Sequence, residues 1–256
     1  MNMKLTKTLW FATTCLLPLA GNAASVTIND STADAFLSAA NPTLNYGTAG
    51  TLTIASASAA KGAFDSVVMF STAAAYNQFN STYGAGNWLV TGMTLSLASS
   101  SFGTSGAIPT SQILNTVEGG NFGIDWLGNN SWVEGTGNGN GAANGAVSFN
   151  SISTLFSAGS DTLGTFTYTP PGNNTYASYA LPLDANLVSD AAAGSALSLY
   201  FFAADNQVSY LFNSKDNSSD HPELTITAAA VPEPAGFTIL SSILAGWLVL
   251  RRRQRD

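Results

Sequence analysis

One cysteine, one histidine and only eight basic residues occur among 256, and charged residues of both signs make up just 9% of the chain. Each scarcity excludes something. Cys15, the single cysteine, lies in the apolar run Leu9 to Leu19 near the N-terminus, so the remainder of the chain has no disulfide and no cysteine-ligated metal. Six basic residues (Lys4, Lys7, Arg251, Arg252, Arg253 and Arg255) sit at the two ends, leaving Lys61 and Lys215 in residues 24–230. Two basic residues against thirteen acidic ones, Asp30 to Glu223, give that core a net charge of −11 and no arginine at all. Such a surface repels a phosphate backbone, so no nucleic-acid partner is expected, and anionic lipid is disfavoured for the same reason.

Catalytic patterns are equally sparse. His221, beside Pro222 in a polar stretch, is the only imidazole, and no Gly-x-Ser-x-Gly elbow is present to use it. No His-rich metal spacing and no glycine-rich phosphate loop after a strand occurs. Thirteen carboxylates leave a polysaccharide-active enzyme open, because a glycosidase needs only two of them suitably placed, but no pair stands out. The expectation is a protein that is not an enzyme and has no cofactor. A calcium ion is the one candidate cofactor kept open, with Asp216 and Asp220 in the oxygen-rich run Asp216-Asn217-Ser218-Ser219-Asp220; the glycine and terminal glutamate of an EF-hand loop are missing.

The two ends carry routing information. Lys4 and Lys7 precede the apolar run, and Gly21-Asn22-Ala23-Ala24 offers cleavage after Ala23 or Ala24, so residues 1–23 read as a signal peptide. At the other end, Val231-Pro232-Glu233-Pro234 precedes an uncharged apolar stretch from Ala235 to Leu250 and then Arg251, Arg252, Arg253 and Arg255. As a helix that stretch would reach roughly 24 Å, short for a permanent anchor. The arginines should stay cytoplasmic, placing everything before them on the outer side of the inner membrane. An ordinary tail anchor is the plain alternative. In order and position the three parts resemble the PEP-CTERM sorting signal, here residues 228–256, which implies processing near the Pro-Glu-Pro box by an exosortase.

Between the ends, short alternating runs separated by turn residues predict an all-β fold, a jelly-roll-like β-sandwich over residues 24–227 flanked by the signal peptide and the transmembrane sorting helix. Met93–Leu97, Phe122–Trp126, Thr165–Tyr168 and Leu224–Ile226 alternate; Ser66–Phe70, Leu197–Phe202 and Gln207–Phe212 are further strand candidates. Helices are expected over Ala73–Phe79 and over Ala185–Ala193, the second with Asp184 as N-cap and Gly194 as stop. The run Gly135 to Gly145, GTGNGNGAANG, is expected as an exposed loop, and Ala228-Ala229-Ala230 as a spacer.

Asp34-Ala35-Phe36-Leu37, Asn41-Pro42, Asn45-Tyr46-Gly47 and Leu52-Thr53-Ile54, with Phe212-Asn213-Ser214-Lys215-Asp216 and Pro222–Ile226 near the end, resemble the opening and closing of the DNRLRE domain. That resemblance implies a carbohydrate-binding-module-like β-sandwich. Ser214-Lys215-Asp216 stands where that family has serine-arginine-glutamate, and the arginines expected around Val67 to Phe70 are absent. Trp126 and Trp132 flank a turn ahead of Glu134 in WLGNNSWVEGTG, residue types that serve a sugar platform, and Trp126, Trp132 and Glu134 are therefore candidate carbohydrate-binding residues. Similar W-V-E-G-T-G runs occur in PEP-CTERM proteins of this type, and a role in the fold is the competing reading: a Trp126 that continues the Phe122/Ile124 face is core. The composite expectation is an exported, non-catalytic cell-surface or extracellular-matrix protein associated with exopolysaccharide, with a lectin-like module as the first alternative.

Overall fold

The computed structural model describes residues 23–59, 61–100, 120–141, 145–168 and 174–231. Residues 1–22, and Pro232 to Asp256 with the Pro-Glu-Pro residues Pro232, Glu233 and Pro234 and the arginines Arg251, Arg252, Arg253 and Arg255, lie outside the described residues. Thirteen strands occur among those described: β1 (Ala24–Ile28), β2 (Ala33–Ser38), β3 (Leu44–Asn45), β4 (Thr51–Ala55), β5 (Phe64–Ser71), β6 (Trp88–Ala98), β7 (Asn121–Leu127), β8 (Asn140–Gly141), β9 (Ser160–Thr167), β10 (Tyr176–Leu181), β11 (Ala196–Ala203), β12 (Ser209–Asn213) and β13 (Glu223–Ala230). Three α-helices accompany them, α1 (Ala73–Tyr83), α2 (Ile152–Leu155) and α3 (Ala185–Ala193). None of the described helices is long and apolar enough to cross a membrane.

The fold is mostly β and its ladders are antiparallel. One sheet runs β1-β13-β6-β10. A second runs β12-β4-β5-β11-β7-β9, with β2 also paired to β5, and β3 and β8 form a separate two-stranded ribbon. Alternation decides how the two large sheets meet. Met93, Leu95 and Leu97 of β6 and Leu224, Ile226 and Ala228 of β13 turn inward. They share one core with Ile54, Val68, Phe70, Phe122, Ile124, Leu199, Phe201 and Phe212 of the larger sheet, a sandwich-like arrangement. Aromatic edges fill its centre, with Phe122 5.1 Å from Tyr179 and 6.0 Å from Tyr210 by ring centroid.

Both expected helices form and close on this core through Ala75, Phe79, Leu187 and Ala191. In α3 the Asp184 carboxylate accepts from the amides of Asn186 and Leu187, and Gly194 ends the helix in the left-handed region at φ 68°. Helix α1 continues four residues beyond the expected Phe79. Asn80, Ser81 and Thr82 are weak helix formers, but tertiary bonds hold them: the Trp88 indole donates to Asn80 Oδ1 at 2.8 Å and the Tyr83 hydroxyl to the Ala228 carbonyl at 3.1 Å.

Two expectations are corrected. Ala228–Ala230 is strand rather than spacer, because a register shift after Thr227 lets β13 continue against Val90, Leu89 and Trp88. The glycine-rich run is only partly an exposed loop, since Asn140 and Gly141 pair with Asn45 and Leu44 and Gly137 is buried.

Candidate functional site

Four segments far apart in sequence meet at one end of β2. Asp34 comes from β2, Asn45 from β3, Glu134 from the connection between β7 and β8, and Lys215 with Asp216 from the turn after β12. The segments of Asp34, Asn45 and Lys215 are among those that carry the DNRLRE resemblance described above.

Asn45 organises the first half of the junction. Its buried amide donates to the carbonyls of Glu134 at 2.6 Å and Val147 at 2.8 Å, and its Oδ1 accepts from the amides of Gly137 at 2.7 Å and Gly47 at 3.3 Å. Every hydrogen-bonding position of this side chain is thereby used. The backbones approach too closely for a side chain: a Cβ on Gly47 would fall 2.8 Å from the Glu134 Cγ and from the Gly135 carbonyl oxygen. Gly135 has φ +82° as well, a conformation that favours glycine. Thus the Asn-Tyr-Gly and Glu-Gly-Thr-Gly motifs are two halves of one backbone fit.

The charged half lies beside it. Asp34 Oδ2 accepts from the Ser31 hydroxyl at 2.9 Å and the Lys215 amide at 2.7 Å, while the Asp34 amide donates to Glu134 Oε1 at 3.0 Å. The Lys215 ammonium stands 3.0 Å from both Glu134 Oε1 and Asp216 Oδ2. One oxygen from each of Asp34, Glu134 and Asp216 lies within 4.8 Å of the others. Burial is the largest influence on Asp34, which is 1% exposed, and raises its pKa to about 7 against the lowering by its two hydrogen bonds. Glu134 is raised by burial too, against the lowering effects of the Asp34 amide and Lys215. Burial pulls the Lys215 ammonium down, but its bonds to Glu134 and Asp216 outweigh that and raise it.

The candidate sugar-binding residues are placed differently from an exposed platform. Trp126 continues the Phe122/Ile124 face and is 8% exposed in the shared core, its indole donating to Asp190 Oδ2 at 2.8 Å. Trp132 is half-buried against a second apolar cluster that includes Ala35, Leu37, Val67 and Tyr200, and its indole donates to the Ser198 hydroxyl at 3.0 Å. Glu134 is committed to Lys215 and the Asp34 amide. A groove of about 420 Å³ does run along this segment past Val133, Gly135, Thr136 and Asn140, but neither an aromatic ring nor a charged side chain lines it.

Of the two calcium candidates, Asp216 joins the junction, its Oδ2 3.0 Å from the Lys215 ammonium. Asp220 closes a local turn at φ 56°, accepting from the Ser219 hydroxyl at 2.7 Å. His221 Nε2 faces the Asn217 carbonyl oxygen at 2.9 Å, and its Nδ1 lies 3.4 Å from Asp30 Oδ1. Val231 is exposed directly after β13, and Ala23 and Ala24 stand at the start of β1.

Sequence reasoning singled out Glu134 without its partners Asp34 and Lys215. The available signal was compositional: a lone lysine within a motif, in a domain with only one other cation. It also missed a buried pair on the larger sheet, where the Tyr200 hydroxyl donates to Asp65 Oδ2 at 2.6 Å and burial raises Asp65 to about 6. No family model matches this chain, and no curated protein matches it either.

Proposed function

We propose that the chain is an exported, non-catalytic protein of the cell surface or extracellular matrix, sorted by an exosortase and associated with exopolysaccharide. One observation carries this reading. The compact unit extends from Ala23 to Ala230, bounded by the two places where the sequence invites processing, Ala23/Ala24 and Val231-Pro232-Glu233-Pro234. Its first and last strands are hydrogen-bonded neighbours, Ala24 opposite Ala228 through Ile28 opposite Leu224. Removing both flanks would take no residue from the core.

The finer architecture in this reading is a jelly-roll-like, DNRLRE-like β-sandwich. The meeting of Asp34, Asn45-Tyr46-Gly47 and Ser214-Lys215-Asp216 supports it, since residues quoted for that resemblance from three parts of the chain serve one junction, to which Trp132–Gly137 contributes Glu134. Lys215 between Glu134 and Asp216 takes the position of the family's arginine. Before processing, the apolar stretch Ala235 to Leu250 would hold the protein in the inner membrane with the arginines inside. A net charge of −11 on the core favours a neutral glycan over an acidic one as the associated polymer.

The test is the mass and both termini of the mature protein isolated from native cells. Loss of residues 1–23 and of Arg251 to Arg255, with a C-terminus near Pro232 to Pro234, is expected. A major mature form that retains Arg255 contradicts sorting and leaves a tail-anchored protein.

A further inference from the structure

The junction at Asp34 holds more acid than base. Three carboxyl groups lie within 4.8 Å of one another with a single ammonium among them, and Asp34 is all but sealed from water. Asp216 is exposed and Glu134 and Lys215 are partly so, but with every group ionised the cluster would carry net negative charge with Asp34 at its buried end, where solvent screens least, an arrangement that a proton on Asp34 relieves. The charged groups facing Asp34 are Glu134 from the 131–137 segment and Lys215 and Asp216 from the turn after β12. Strand β5 brings only Val67, Val68 and Met69 near it, and β3 and β4 bear no charge.

What the cluster holds closed is the glycine-rich segment. Glu134 Oε1 receives the Asp34 amide and the Lys215 ammonium. Immediately afterwards the chain commits Gly137 N to Asn45 Oδ1, Gly139 N to Asn45 O at 3.0 Å, and the Gly137 carbonyl to Thr48 N at 3.1 Å. Few apolar contacts back these bonds up, since the segment is mainly glycine, asparagine and threonine, and such regions open locally at low cost.

We propose that Asp34 is a proton-operated latch on residues 133–141: protonated, it lets β2, this segment and the 214–216 turn close on one another, and ionised, it sets three carboxylates against one ammonium and the segment opens more often. The groove along Val133, Thr136 and Asn140 belongs to the same segment, so its walls move with the latch.

The sign follows from linkage. The closed form holds the Asp34 proton up to about pH 7, whereas an opened, hydrated Asp34 releases it near the ordinary 3.8. Closure is therefore favoured most below about pH 4, weakens as pH rises from about 4 to 7, and changes little beyond. In the full-length chain, amide exchange of residues 133–141, corrected for intrinsic rates, should show the opening equilibrium rising up to tenfold per pH unit, about 50-fold between pH 5 and 7. Asp34→Asn should flatten that dependence, while the amides of β11 exchange as before. Protection that is flat with pH in the unaltered chain, or an Asp34→Asn protein that keeps the full slope, overturns the latch. Should Asp34→Asn fail to fold, the Asp34 carboxyl is titrated by NMR in the unaltered chain: a midpoint near 7 moving together with the Gly137 and Gly139 amides supports the proposal, and a midpoint below about 5 overturns it.

Discussion

The two large sheets bury their residues in opposite styles. The four-stranded sheet is covered on one face only, so its strands alternate, and the outer face is a ladder of small hydroxyls: Ser25 with Thr227 at 2.8 Å, Thr27 with Thr225 at 2.9 Å, and Ser96 with Ser178 at 2.9 Å. The larger sheet is covered on both faces. Inside lies the shared core, and outside Val67, Leu127 and Tyr200 pack under Trp132, Val147, Leu155 and Phe156 from the connection between β7 and β9. Hence β11 reads as an almost unbroken apolar run where β13 alternates from Glu223 to Thr227. A layer that covers a second face must be fastened at its ends, and the Asn45 and Asp34 junction fastens this one. Asp34, Asn45-Tyr46-Gly47, Glu134 and Ser214-Lys215-Asp216 gather at that fastening, whereas Pro222–Ile226 runs into β13 and brings Thr225 to the hydroxyl face.

Substitutions graded across the two faces should break or sharpen this contrast. Trp126→Ala removes a ring from the shared core and takes the shorter of two hydrogen bonds from Asp190 Oδ2, leaving that from Asn130, so unfolding in denaturant should show a loss of about 3–5 kcal/mol. Asn45→Ala removes no apolar area to speak of, yet it leaves two carbonyls and two amides without partners. A loss of about 2–3 kcal/mol is expected, with faster proteolysis in residues 133–141 than elsewhere. Thr27→Ala on the hydroxyl face should change stability by no more than about 0.5 kcal/mol in the same assay. An Asn45→Ala effect as small as that of Thr27→Ala would mean that the covering layer stands without its fastening.

How much of this was legible beforehand follows from the same contrast. Period-two patterning identified β6, β7 and β13, where one face meets water or a clear apolar partner, and cap chemistry located α3 to the residue through Asp184 and Gly194. The Ala228–Ala230 end of β13 was hidden because alanine marks neither face and the strand is completed by pairing with β6. Strand β8 was hidden for a related reason: Asn140-Gly141 has no strand propensity, and only Asn45, about a hundred residues earlier, makes it a ribbon. Glu134 was visible as a carboxylate among aromatics. That it would meet Asp34 and Lys215 rather than solvent depends on long-range pairing, which spacing in the chain does not encode.

The central claim is that the Trp132 to Gly137 segment makes the fold rather than a ligand platform, and Trp132→Ala tests it most directly when the unfolding midpoint and retention on polysaccharide are measured on the same protein. The account predicts a loss of stability of about 3 kcal/mol, from a ring packed on Ala35, Leu37 and Val67 and a broken bond to Ser198, with any retention shown by the parent kept by the folded variant. An unchanged midpoint together with abolished retention would contradict it and make Trp132 a sugar-binding residue.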